Sequence, residues 1–113
     1  MTGDEAVAAL PATIRVAGYD MKIARMSIHE AVGRNVVGEF SGAEQRISLN
    51  TTISSPERVV DAFLHEAAHA IWWAYGISDD DKEERVVSTL GTAMMTLHRD
   101  NPWLANWIST ALA

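Results

Sequence analysis

Apolar and polar residues alternate through the first half of the chain, whereas in the second half apolar residues recur every three to four positions. Period two with β-branched residues predicts strands over Ala12–Val16 and Met21–Met26. Gly18-Tyr19-Asp20 reads as the turn between them, which makes the two a hairpin. Val36–Phe40 and Gln45–Asn50 read as a second strand pair about a turn at Ser41–Glu44. Ahead of these, Asp4–Leu10 fits a short helix ended by Pro11 or no element at all.

Helical punctuation begins at Ser55-Pro56-Glu57: a side-chain cap, a proline at the first helical position, and an acid where the helix dipole favours one. The helix is expected over Pro56–Tyr75, with Gly76 as its stop and Val59, Val60, Phe63, Leu64, Ala67, Ile71 and Trp72 on its apolar side. Ser78–Asp81 should cap a second long helix running to about His98, and Asn101-Pro102 should start a third. The expected fold is α+β. A small antiparallel sheet of about four strands, from the N-terminal half, packs on the Pro56–Tyr75 helix and two further C-terminal helices, all in one domain over residues 1–113.

The chemistry lies inside the first long helix. His65-Glu66-Ala67-Ala68-His69 is the H-E-x-x-H signature of zinc proteases. Residues four apart stack on one helical face, so the two imidazoles can converge on one ion. Glu66, one residue along, can address a water on that ion without being a ligand. The chain carries an internal control: Ile28-His29-Glu30 starts the same way but has Gly33 where the second histidine should stand. His29 and Glu30 therefore read as surface residues.

Composition narrows the classes. The net charge is −6 and no Lys/Arg cluster occurs, which argues against nucleic acid as a partner. There is no cysteine, so neither a disulfide scaffold nor a thiolate zinc site is available, and a reducing cytoplasm is the expected compartment. The acidic start, Met1-Thr2-Gly3-Asp4-Glu5, lacks the basic opening of a secretory signal, and no apolar run is long enough to span a membrane.

A catalytic zinc takes three protein ligands and leaves one position for water. The long metzincin extension would need Gly and His where the chain has Trp72 and Tyr75, so the third ligand is sought on the following helix as a carboxylate, Glu84 or Glu83. Glu84 is favoured because it shares a face with Val87, Ser88 and Gly91, which reads as small and packed, with Gly91 allowing a close helix approach. Asp79, Asp80, Asp81 and Glu83 read as a solvated first turn. His98 lies about 21 Å beyond Glu84 along a straight helix and reads as a capping or surface histidine. Trp72, Trp73, Trp103 and Trp107 are expected to pack the helices together, with Trp73 or Tyr75 as a candidate for lining a substrate cleft.

Leu64–Trp72 resembles the active-site helix of small phage- and prophage-encoded zincins related to the ImmA/IrrE-like metallopeptidases, the minimal gluzincins. Leu10–Tyr19 is similar to that family's opening strand, and Gly38-Glu39-Phe40 with Arg46–Leu49 to its hairpin. Glu84–Gly91 with Arg99–Pro102 is similar to its second helix and ending. Ser88 departs from the Asn or Asp common at that place. The resemblance implies a zincin-like fold and a phage-derived metalloendopeptidase. Its zinc would be held by His65, His69 and Glu84, with Glu66 as general base acting on a protein or peptide such as a repressor or virion protein. The rival expectation is a catalytically silent zinc-binding structural or interaction module, and a third is a metal-free helical core containing both histidines.

Overall fold

The computed structural model describes residues 1–27, 29–30, 37–53 and 55–113. Val36, at the start of the expected third strand, and Ile28 and residues 31–33 of the partial motif lie outside the described residues.

The leading helix forms: α1 spans Gly3–Ala8. Its signal is a capping box in which the Glu5 N–H donates to Thr2 Oγ1 (3.1 Å) and the Thr2 N–H to Glu5 Oε1 (2.9 Å). Strands β1 (Thr13–Val16) and β2 (Tyr19–Arg25) follow as an antiparallel hairpin with Val16 opposite Tyr19. Its two loop residues, Ala17 and Gly18, both take positive φ (51° and 87°). Two left-handed residues match the twist of the flanking strands. The turn is thus tighter than expected, and Tyr19 and Asp20 belong to β2.

Strands β3 (Gly38–Ser41) and β4 (Arg46–Leu49) pair antiparallel, as expected. The sheet as a whole is mixed, which corrects the expected antiparallel sheet: its order is β1-β2-β4-β3, and β2 runs parallel to β4, with Lys22 opposite Arg46 and Arg25 opposite Leu49. The physical reason is the long connection between β2 and β3. A parallel pair needs a connection longer than a hairpin turn, and here β3 takes the sheet edge while β4 enters between β2 and β3. Central placement also explains why Ile47, Ser48 and Leu49 are buried in succession.

Three further helices complete the described fold: α2 (Pro56–Ala74), α3 (Glu83–Asp100) and α4 (Trp103–Leu112). α2 is the hub, packing against α1, α4 and strands β1, β3 and β4. Phe63 at its centre is fully buried and meets the rings of Trp103 and Trp107 edge-on, at centroid distances of 6.2 and 5.3 Å. The Trp107 indole N–H donates to the Ala6 carbonyl (2.9 Å), tying α4 to α1.

α3 packs on β1 through Leu90, Ala93 and Leu97. At its end, buried Asn101 reaches the outer edge of β1: its Oδ1 accepts from the Arg15 N–H (2.8 Å) and its Nδ2 donates to the Arg15 carbonyl (2.7 Å). One side chain therefore stands in for a neighbouring strand. The expected cap of α3 differs. Asp81 accepts from the Ser78 N–H (2.7 Å) and from Arg85 (2.5 Å), closing the turn before the helix, while Lys82 occupies the cap position without a side-chain bond. Among the described residues no helix is long and apolar enough to cross a membrane.

Candidate metal centre

α2 is fixed at both ends by local sequence. The Arg58 N–H donates to Ser55 Oγ (3.4 Å) beside Pro56, and Gly76, at φ 64°, closes a Schellman turn through bonds from Gly76 N–H to the Trp73 carbonyl and from Ile77 N–H to the Trp72 carbonyl. Between these caps the helical repeat decides which side chains meet. His65 and His69 come together with their Nε2 atoms 3.2 Å apart and their rings at 78°. Two nitrogens about 2.0–2.1 Å from one tetrahedral ion lie about 3.3–3.4 Å from each other. The pair therefore already has the spacing that a shared ion requires.

Glu66 completes the group: one ligand atom from each of His65, Glu66 and His69 falls within 4.8 Å of the others, and the three can hold a metal ion. Both histidines are exposed, while Glu66 is buried, only 7% accessible. Burial pushes the Glu66 carboxyl above its ordinary pKa, the nearby histidines pull it back, and Glu39 adds to the rise. Gly38 of the edge strand lies over this carboxylate's stem; a Cβ there would stand 3.1 Å from Glu66 Cγ.

Two clefts flank the pair. One of ≈330 Å³ is lined by Val37, Gly38, Arg58, Asp61, Ala62, His65 and Glu66. The other, ≈380 Å³, is lined by His65, Ala68, His69, Trp72 and Asp79. Arg58, Asp61 and His65 follow helical spacing, and Gly38 is a glycine inside a strand pattern, a signal of close backbone approach. Both signals were present in the sequence and were not used. Asp79 had no such signal.

Glu84 is exposed in the first turn of α3 and is not part of the His65–Glu66–His69 group. The face argument for it does not hold. Val87 is 56% exposed, Ser88 and Gly91 are exposed, and a Cβ on Gly91 would meet open space. The packed stripe runs through Leu90, Ala93 and Leu97, in line with Glu83, which is itself exposed. His98 is an exposed residue, as the surface reading expects, and its Nδ1 bonds the Met94 carbonyl (2.8 Å) one turn back in α3 and not a carbonyl of the helix end. His29 and Glu30 are exposed. Of the tryptophans, Trp103 and Trp107 pack helices, Trp73 stacks edge-on against Tyr19 and Phe40 of the sheet, and Trp72, rather than Trp73 or Tyr75, lines a cleft. Comparison with protein-family models, with curated proteins and with solved structures finds no match to this chain.

Proposed function

We propose that the chain is a zinc-dependent metallopeptidase of the zincin type, hydrolysing a protein or peptide substrate. The observation that carries this reading is the 3.2 Å approach of His65 Nε2 to His69 Nε2 with the buried Glu66 carboxyl beside them. The two imidazoles are two of the three protein ligands of a His₂Glu zinc site, and H-E-x-x-H is the sequence form of that pair, with its glutamate as the base beside the ion. Bound zinc would supply a Lewis acid and lower the pKa of a water toward about 7.

The remaining work belongs to the chain's own groups. The Glu66 carboxylate takes the proton of the attacking water and passes it to the departing amine nitrogen. Partial burial suits this role, because a base whose pKa is raised toward the working pH both accepts and returns a proton readily. Strand β3 is the sheet's edge nearest Glu66, and an extended peptide can add to it through main-chain hydrogen bonds. Gly38 keeps that edge close to α2.

Glu84 is proposed as the third ligand from the resemblance to minimal gluzincins, and its carboxylate must be brought to the histidine pair when metal binds. A structural zinc would need a closed set of four protein ligands. The pair instead borders two open clefts, which favours the catalytic reading over a silent zinc module. The repressor or virion-protein substrates implied by the resemblance remain part of the same proposal.

The test is metal content of untagged wild type, His69→Ala and Glu84→Ala, with peptide cleavage by wild type and Glu66→Gln. About one zinc per chain is expected, lost in both metal variants, together with cleavage that Glu66→Gln abolishes while keeping zinc. Zinc that survives Glu84→Ala would move the third ligand to Glu83 or an aspartate. Absence of zinc after reconstitution of the wild type would sink the reading.

A further inference from the structure

The ≈380 Å³ cleft beside His69 holds two side chains that bond hydrolysis alone does not require, Trp72 and Asp79. Trp72 follows Ala68 by four residues, so it stands one helical turn beyond that cleft residue on the same face of α2. It is 37% exposed, and among the described residues it has no ring partner, whereas Trp73 next to it packs on Tyr19 and Phe40. An indole left with about a third of its surface in water forgoes part of the favourable burial open to it. Asp79 lies in the connection between α2 and α3. Its neighbour Asp81 is tied to Ser78 and Arg85, but Asp79 has no ion pair among the described residues.

An indole and a carboxylate sharing one open cleft make the environment of an organic cation. The ring face attracts the charge through its quadrupole, and the carboxylate accepts a charge-assisted hydrogen bond. The net charge of −6 adds a long-range attraction for a basic segment. The cleft's position fixes which part of a peptide it receives, because His65 and His69 line it as well. A side chain seated there belongs to a residue flanking the bond held at the histidine pair.

We propose that Trp72 and Asp79 form a specificity pocket for a basic side chain, Arg or Lys, of the peptide residue next to the scissile bond. The inference rests on the peptidase reading. It differs from a ligand role for Asp79, which would leave the exposed Trp72 without a purpose.

Zinc-loaded wild type, Trp72→Ala and Asp79→Asn are each given a peptide mixture with every residue type represented, and the cut sites are read by mass spectrometry. One peptide carrying Arg at the preferred place and its Gln counterpart are then compared in kcat/KM, and in binding to zinc-loaded Glu66→Gln. Cuts beside Arg or Lys are expected. Each pocket variant should lower the Arg-over-Gln preference about three- to tenfold, with zinc content and thermal melting unchanged. Cleavage beside apolar residues with no charge preference overturns the pocket, as does loss of zinc in Asp79→Asn, which would make Asp79 a ligand. If nothing is cut but the Arg peptide binds Glu66→Gln and Asp79→Asn removes that binding, the pocket stands and the peptidase reading fails. If nothing is cut and nothing binds, both fail.

Discussion

Gly38 and Glu66 meet side by side: a Cβ on residue 38 would stand 3.1 Å from Glu66 Cγ, and equally 3.1 Å from the Ser48 carbonyl oxygen. The edge strand is thereby pressed onto α2 at the one buried acid of the metal-binding group. Sheet and helix are coupled there through a missing side chain.

Gly38→Ala should accordingly act on both. The new methyl has backbone on one side and the Glu66 stem on the other, so either β3 lifts or the carboxylate turns. Overpacking of this kind costs about 1–3 kcal/mol. Urea unfolding of the two proteins checks it, and a difference below about 0.5 kcal/mol would show that the strand has room to spare. With zinc bound, cleavage should fall more than zinc content does, because the atoms nearest the new methyl include Glu66 Cγ and no histidine atom.

Glu66 also gives the metal-free protein a pH signature. Its folded pKa is raised by burial, so between the unfolded and folded values the native state binds more protons than the unfolded chain. Stability therefore declines as pH rises through that window, and the full cost is present above the folded pKa. Glu66→Gln carries no such cost. In chelator-treated protein its melting temperature relative to wild type should be most favourable near neutral pH, and that advantage should shrink as pH falls into the ordinary carboxylate range. A difference that stays constant with pH would mean that Glu66 titrates as an ordinary surface acid. Any hydrogen bond lost in the variant shifts both ends of the curve alike and does not mimic this slope.

Asn101 is the place to test how β1 is held. Asn101→Ala removes both bonds to Arg15 and the bond from Nδ2 to the Leu97 carbonyl (2.9 Å). The Leu97 carbonyl keeps its bond from the Asn101 N–H, but two part-buried Arg15 backbone groups are left without partners at about 1–3 kcal/mol each, so a loss of at least about 2 kcal/mol is expected by urea unfolding. Asn101→Asp should be no milder, since it places a carboxylate against two carbonyl oxygens. A loss under about 0.5 kcal/mol for Asn101→Ala would show that water satisfies the strand edge instead.

Local sequence determined the helices and the histidine pair. Ser55, Pro56 and Gly76 delimit α2 through hydrogen bonds spanning three to five residues, one of them to the Ser55 side chain, and the helical repeat then sets His65 over His69 without help from the rest of the chain. The β1–β2 hairpin was legible for the same reason, although its turn lay a residue earlier than Gly18-Tyr19-Asp20 suggested. What only the tertiary structure decided depends on contacts far apart in sequence. The parallel pairing of β2 with β4 puts the last strand, not the third, beside β2, and alternation of apolar residues is blind to strand order and direction. The face of α3 that packs was misread because Val87, Ser88 and Gly91 repeat at helical spacing as well as Leu90, Ala93 and Leu97 do, and only the position of β1 chooses between them. Asn101 finds Arg15 across 86 residues, and Asp79 finds the histidine cleft because α2 stops at Gly76 and the chain turns back. Spacing along one helix is written in the chain; which helix face meets which strand is settled only when all of them compete for the same core.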